Sequence, residues 1–92
     1  MLKFKNGSVS VSSDDRLTGV FFESGKGCIS VYFDESQGPC ICLYDDTTSG
    51  KLPVVAIGGK GSGSLQLRGE DGETVLITAD QLKKLLELIK NV

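Results

Sequence analysis

The sequence contains no histidine and no tryptophan, and its 92 residues include only two prolines and six aromatic side chains. Histidine is the usual general base near neutral pH, the common activator of serine and cysteine nucleophiles, and the commonest metal ligand. Its absence removes those catalytic pairs, so we expect a protein that is not an enzyme and that uses no cofactor. Because aromatics are scarce, apolar contacts must depend mainly on Val, Ile and Leu.

Long apolar runs and clustered positive charge are also missing. No segment approaches the length of a transmembrane helix, and the first seven residues lack the apolar run of a signal peptide. The net charge is −2, and the only arginines are Arg16 and Arg68. Binding a phosphate backbone requires several cations on one face. We therefore expect neither a membrane nor a nucleic acid as a partner.

The cysteines are three in number, Cys28, Cys40 and Cys42. An odd count of thiols is most simply explained by a reducing, cytoplasmic location. The single-residue gap between Cys40 and Cys42 is not the spacing of a zinc knuckle, and we predict no metal site. Free cysteine is often buried, so we interpret all three as packing residues rather than as nucleophiles.

Short alternating segments separated by turn residues fill the first four-fifths of the chain. The dipeptide Asn6-Gly7 predicts a type I′ hairpin turn. The remaining turns are rich in glycine and acidic residues, and the spacing of 8–12 residues is typical of a β-meander. The predicted strands are 2–5, 8–12, 18–23, 28–33, 40–44, 54–57, 64–68 and 74–77.

The last strand leads straight into a helix that begins after Thr78. Thr78 and Gln81 fit a capping box, in which each side chain bonds the other residue's amide. An apolar stripe follows at helical spacing, formed by Leu82, Leu85, Leu86, Ile89 and Val92. Leu88 lies at the edge of this stripe, where we expect it to contact a loop or a second subunit.

One helix is too narrow for the predicted sheet. Seven or eight strands at about 4.8 Å span over about 30 Å, whereas a helix is about 10 Å across. The sheet must therefore curl, or another chain must cover part of it. We predict a single α+β domain over residues 1–92: a curled, mostly antiparallel meander of seven or eight strands, as a partial barrel or sandwich, with one C-terminal helix packed on it.

Alternation divides two central strands into two faces. If Ile29, Val31 and Phe33 face the helix, the other face carries Tyr32, Tyr44 and Cys42, together with small side chains. Small amphipathic residues with tyrosines suit an interface that is soluble before assembly. The alternative is the second layer of a sandwich within one chain. On the first interpretation, Tyr32, Tyr44, Cys42 and Leu88 are interface residues.

The segment from Gly58 to Ser64 is the strongest candidate for ligand binding. Its glycines allow backbone amides to point at an anion, and Lys60 and two serines add donors. The pattern is not a Walker A loop, and a strand rather than a helix follows, so a hairpin tip is the alternative. The predicted ligand-binding residues are Gly59, Lys60, Gly61, Ser62, Gly63 and Ser64.

Acidic residues occur in pairs within predicted turns, where turn chemistry and solubility explain them. They also form an acidic rim that could steer a basic partner. The leading hypothesis is a homo-oligomeric interaction module that binds another protein through a sheet face or this rim. The alternative is a sequestering binder of a small, nucleotide-like anion. The architecture, a compact sheet ending in one capped helix, is similar to that of small accessory proteins of phages and mobile elements.

Overall fold

The computed structural model describes residues 2–14, 16–46 and 52–90, which form eight strands and one helix. The predicted strands are all present, with ends that differ by a few residues at most. The elements are β1 (Leu2–Phe4), β2 (Gly7–Ser13), β3 (Leu17–Ser24), β4 (Gly27–Asp34), β5 (Gly38–Asp45), β6 (Val55–Gly58), β7 (Ser64–Arg68), β8 (Thr74–Thr78) and α1 (Ala79–Lys90).

All eight strands belong to one antiparallel sheet, in which each strand pairs with the next in the order β1 to β8. The sheet is a meander and it is not closed into a barrel. This confirms the predicted α+β fold with a C-terminal helix. The longest strands, β2 to β5, are seven or eight residues each and form one half of the sheet.

The register places most of the large aliphatic side chains on one face, because residues opposite each other on paired strands point the same way. Val31 pairs with Val20 on one side and with Ile41 on the other, and Ile41 pairs with Ile57. We call this surface the apolar face. Its members are Leu2, Val9, Val11, Val20, Phe22, Ile29, Val31, Phe33, Ile41, Leu43, Val55, Ile57, Leu65, Leu67, Val75 and Ile77.

The opposite surface, the tyrosine face, alternates aromatic with small residues. Phe21 lies opposite Ser30, and Tyr44 lies opposite Cys28. Its central members are Gly19, Phe21, Cys28, Ser30, Tyr32, Cys40, Cys42, Tyr44, Ala56 and Gln66. The predicted separation of the aliphatic from the tyrosine-bearing residues is therefore confirmed.

Helix α1 begins at the predicted capping box. The Gln81 amide donates to Thr78 Oγ1 at 3.2 Å, and the Thr78 amide donates to Gln81 Oε1 at 3.0 Å. Asp80 in the first turn and Lys90 in the last turn suit the helix dipole. Val92, the predicted end of the apolar stripe, lies outside the described residues. Within the part of the chain that is described, no helix is long and apolar enough to cross a bilayer.

The helix does not lie across the sheet as we had expected. All twelve of its residues are exposed, and its main contacts are with β8, the strand it continues. The physical reason is the junction: β8 ends at Thr78 and α1 begins at Ala79, so no residue is left in which the chain could reverse. The molecule is correspondingly elongated, with principal extents of 54 × 32 × 17 Å.

The first hairpin differs from the type I′ prediction. Gly7 is paired with Phe4, so Lys5 and Asn6 are the central residues of the turn. A type I′ turn needs positive φ at both central residues, and no described residue other than glycine has one. Gly7 instead belongs to β2, where it pairs closely with Ser24.

Candidate interaction surfaces

The apolar face is exposed even at its centre. Val31 and Ile41 lie on the inner strands β4 and β5, yet these residues are 41% and 44% exposed. Residues at the middle of an eight-stranded sheet are buried when a second layer lies over them. Nothing in the described part of the chain forms that second layer. The apolar face is therefore a large hydrophobic surface open to solvent.

The size of the molecular surface leads to the same conclusion. The chain exposes 7239 Å². A compact monomer of its 9.8 kDa mass would expose about 5,200 Å². The radius of gyration is 16.0 Å, against about 12 Å for a compact chain of this length. The excess of about 2,000 Å² is characteristic of a chain that lacks part of its normal packing.

The tyrosine face, in contrast, is packed within one copy. The ring of Phe21 stacks on that of Tyr32 with centroids 6.5 Å apart. The small residues in the middle of this face are the buried ones: Ser30 is 6% and Cys42 is 5% exposed. Large side chains thus shield small neighbours, and the best-packed part of the molecule is the face with the more polar composition.

Two tyrosine hydroxyls are held in this layer next to cysteine sulfurs. Tyr32 Oη lies 3.5 Å from Cys42 Sγ, and this contact, together with burial, raises the pKa of Tyr32. Burial, followed by the nearby thiols, raises the pKa of Tyr44. All three cysteines are free, and Cys28 Sγ lies 3.7 Å from Ser30 Oγ. These contacts fit the prediction that the cysteines serve as packing residues.

The predicted interface residues lie on two different surfaces. Tyr32, Tyr44 and Cys42 lie together on the tyrosine face, where Cys42 is buried and the tyrosines are partly covered. Leu88 lies on the exposed helix, apart from them. The sequence predicted that one helix would leave part of the sheet uncovered, but it also predicted that the helix packs on the rest, so the exposure of the whole apolar face was not expected. The direct passage from β8 into the Thr78 cap was the signal that could have shown otherwise.

A cleft of about 420 Å³ on the tyrosine face brings together part of the predicted ligand site. Gly59, Lys60 and Ser64 line it, together with Tyr32 and Gln66. Gly61, Ser62 and Gly63 do not line it, and they are exposed at the tip of the loop. The cleft thus combines one cation with hydroxyl and amide groups, which could hold a small polar ligand.

The glycine-rich loop is tied to the sheet at several points. Lys60 Nζ donates to the carbonyl of Glu35 at 3.2 Å, and Ser64 Oγ donates to the carbonyl of Gly58 at 3.3 Å. Gly61 has a φ of 80°, in the left-handed region that favours glycine. The loop conformation therefore explains part of its glycine content without a ligand.

Asp14 and Asp34, one from each of two acidic pairs, serve as turn residues. Asp14 Oδ1 accepts from the amides of Arg16 and Leu17, both at 2.8 Å, and these bonds lower the pKa of Asp14. Asp34 Oδ1 accepts from the hydroxyl and amide of Ser36 and from the Gln37 amide, which lowers the pKa of Asp34. Asp15 lies outside the described residues.

An ion pair that the sequence did not suggest joins two distant strands. Arg68 Nη2 donates to Asp45 Oδ1 at 2.7 Å, and Arg68 Nη1 donates to the carbonyl of Leu52 at 3.0 Å. The Arg68 side chain is only 7% exposed. Arg68 therefore links β7 to the end of β5, although β6 lies between these strands in the sheet, and it anchors the segment that leads into β6.

Comparisons of the chain with protein-family models, with curated proteins and with solved structures find no match.

Proposed function

We propose that this protein is a non-enzymatic interaction module that assembles with a second copy of itself through the apolar face. The observation that supports this is the exposure of Val31 and Ile41 at the centre of the sheet. Exposed apolar patches larger than a few hundred Å² usually mark an interaction site. A second copy supplies a surface of the same chemistry, as a two-fold symmetric interface requires.

The dimensions of the sheet suit such an assembly. Eight strands spaced about 4.8 Å apart, with about 20 Å of each in the sheet, give a face of about 700 Å². A stable interface buries about 800 Å² on each partner, and obligate dimers bury more. The excess surface of about 2,000 Å² per chain is enough for an ordinary stable interface or for that of an obligate dimer.

A pair of substitutions on opposite faces tests the proposal. Val31→Lys places a charge at the centre of the apolar face, where it must lose water on assembly. Ser12→Lys places the same charge on β2, at an exposed position of the opposite face. Sedimentation velocity is expected to show that Val31→Lys shifts the protein to monomer, whereas Ser12→Lys leaves assembly unchanged.

Phe33→Lys provides a second variant on the apolar face. It lies near the end of β4, where a substitution disturbs the sheet less than Val31→Lys does at the centre. Circular dichroism on each variant establishes that the chain remains folded. Folded Val31→Lys and Phe33→Lys chains that assemble as well as wild type would contradict the proposal.

A second candidate function rests on the cleft beside Lys60. A binder of a small anionic, nucleotide-like ligand is favoured by one observation, the convergence of Lys60, Ser64 and Gln66 on the same cleft. We expect a panel of nucleotides and inorganic phosphate to raise the melting temperature by several degrees if this function is present.

Lys60→Ala is the variant that tests this second function, with Lys26→Ala, in the β3–β4 turn, as the matched control. Each shift is measured against the ligand-free variant, because Lys60 also bonds the Glu35 carbonyl. Loss of the shift in Lys60→Ala alone would support the site. The absence of any shift in the wild-type protein across the panel would exclude these ligands.

A further inference from the structure

Helix α1 is a second apolar surface that the described chain leaves open. Its stripe consists of Leu82, Leu85, Leu86 and Ile89, which are all exposed. An isolated helix of twelve residues is marginal in water, and helices in proteins gain most of their stability from packing an apolar face. The stripe therefore needs a surface against which to pack.

The helix cannot reach the apolar face of its own sheet. Thr78, the last residue of β8, pairs with Ser64, and the next residue begins the helix. The Ala79 amide also donates to the carbonyl of Gly63 at 3.3 Å, which fixes the first turn beside β7. A helix that packs back on its own sheet requires a connection of about two or more residues. The junction leaves none.

The distribution of charge favours a second copy of this chain as the partner whose helix packs on the apolar face. Helix α1 carries three lysines and two acidic residues, which give it a net charge of +1. Because the whole chain has a net charge of −2, the residues outside the helix have a net charge of −3. Acidic side chains lie in turns at the ends of the strands, including Asp34, Glu35 and Asp71. A helix placed over the apolar face of a second copy would have Lys83 and Lys90, which flank its stripe, near this acidic rim.

We infer that α1 of one copy packs its leucine stripe on the apolar face of a second copy, while the second copy's helix packs on the first. This exchange rests on the proposed self-association and specifies its geometry. It joins the stripe of each chain to part of the other chain's apolar face, and it leaves the tyrosine face and its cleft open.

The test is a pair of neighbouring substitutions on α1. Leu85 is 53% exposed within one copy, so Leu85→Glu should change the stability of a monomer little. In the exchanged dimer the same charge is buried, and we expect the dimer to weaken by at least about tenfold. Lys84→Glu makes a charge change on the polar side of the helix, and we expect it to weaken the dimer much less. Circular dichroism checks that both helices form.

Isotope-filtered NOEs in an equal mixture of ¹³C-methyl-labelled and unlabelled chains locate the helix directly. The exchange predicts NOEs between the Ile89 methyl groups of one copy and the Val31 or Ile41 methyl groups of the other. A dimer with sheet-to-sheet NOEs only, and with Leu85→Glu as tight as wild type, would overturn the helix exchange and leave self-association intact. A monomeric wild-type chain would instead overturn the proposed function as well.

Discussion

Gly19 on β3 lies directly opposite Tyr32 on β4, and a Cβ atom added to Gly19 would come within 2.5 Å of Tyr32 Cβ and 2.7 Å of the Val31 carbonyl oxygen. The close approach allows the tyrosine side chain to lie across the sheet and stack on Phe21. Gly19 is itself buried. The packing of the tyrosine face thus depends on glycine at position 19 as well as on the aromatic rings.

Gly19→Ala should therefore destabilise the chain. The added methyl group must displace β4 or move the Tyr32 ring, and such overpacking typically costs about 1–3 kcal/mol in the free energy of unfolding. Gly25→Ala is the matched control, because a Cβ at Gly25 meets nothing within 4 Å. Urea denaturation of both variants measures the difference. Equal losses would contradict the proposed role of the Gly19–Tyr32 contact.

The Asp45–Arg68 ion pair should contribute more to stability than an exposed pair. Asp45→Asn removes the carboxylate charge that the largely buried Arg68 guanidinium contacts, which we expect to lower the free energy of unfolding by about 2–4 kcal/mol. Asp46→Asn removes a neighbouring, exposed carboxylate and should cost much less. Thermal unfolding compares the two. A loss for Asp45→Asn no greater than that for Asp46→Asn would show that the pair is unimportant.

The capping box predicts a local effect on α1. Thr78→Ala removes the oxygen that accepts from the Gln81 amide, a change that costs helices about 1 kcal/mol. Far-ultraviolet circular dichroism should show reduced helix content. Thr74→Ala, at the start of β8, is the control and should leave helix content unchanged. An unchanged spectrum for Thr78→Ala would mean that packing elsewhere, rather than the cap, maintains the helix.

Acid should weaken the fold through Asp14 and Asp34. Both carboxylates have a lowered pKa in the folded chain: Asp14 because it accepts backbone hydrogen bonds, and Asp34 because it accepts from the Ser36 hydroxyl and then from two backbone amides. A lowered folded pKa gives stability that is present above the unfolded value of about 3.9 and is lost as the pH falls through the folded pKa. Denaturation midpoints measured from pH 6 downwards should therefore decline below about pH 4. Asp34→Asn should make that decline smaller, and an equal decline would contradict it.

Local patterns were sufficient to predict the strands and the helix cap. The alternation of residues such as Ile29, Val31 and Phe33 fixes which side chains share a face, and Thr78 and Gln81 carry the cap signal within four residues. These features depend on near neighbours in the chain. For the same reason, the sequence predicted the order of elements well.

Long-range packing could not be predicted in the same way. The pairing of Asp45 with Arg68 joins residues 23 positions apart, and the contact between Lys60 and the Glu35 carbonyl joins residues 25 apart. An amphipathic helix tends to pack on a neighbouring sheet. Here β8 ends at Thr78 and α1 begins at the next residue, so the helix continues β8 and does not fold back on the sheet. As a result, the prediction that the helix packs on its own sheet was wrong, although the leucine stripe and the aliphatic face of the sheet were both identified.

The most direct test is the molar mass of the wild-type chain in solution, measured by light scattering over a range of concentrations. The exposed apolar face predicts a dimer, with twice the chain mass of 9.8 kDa, that dissociates only on dilution. A mass of 9.8 kDa at every concentration, from a folded chain, would contradict self-association through the apolar face.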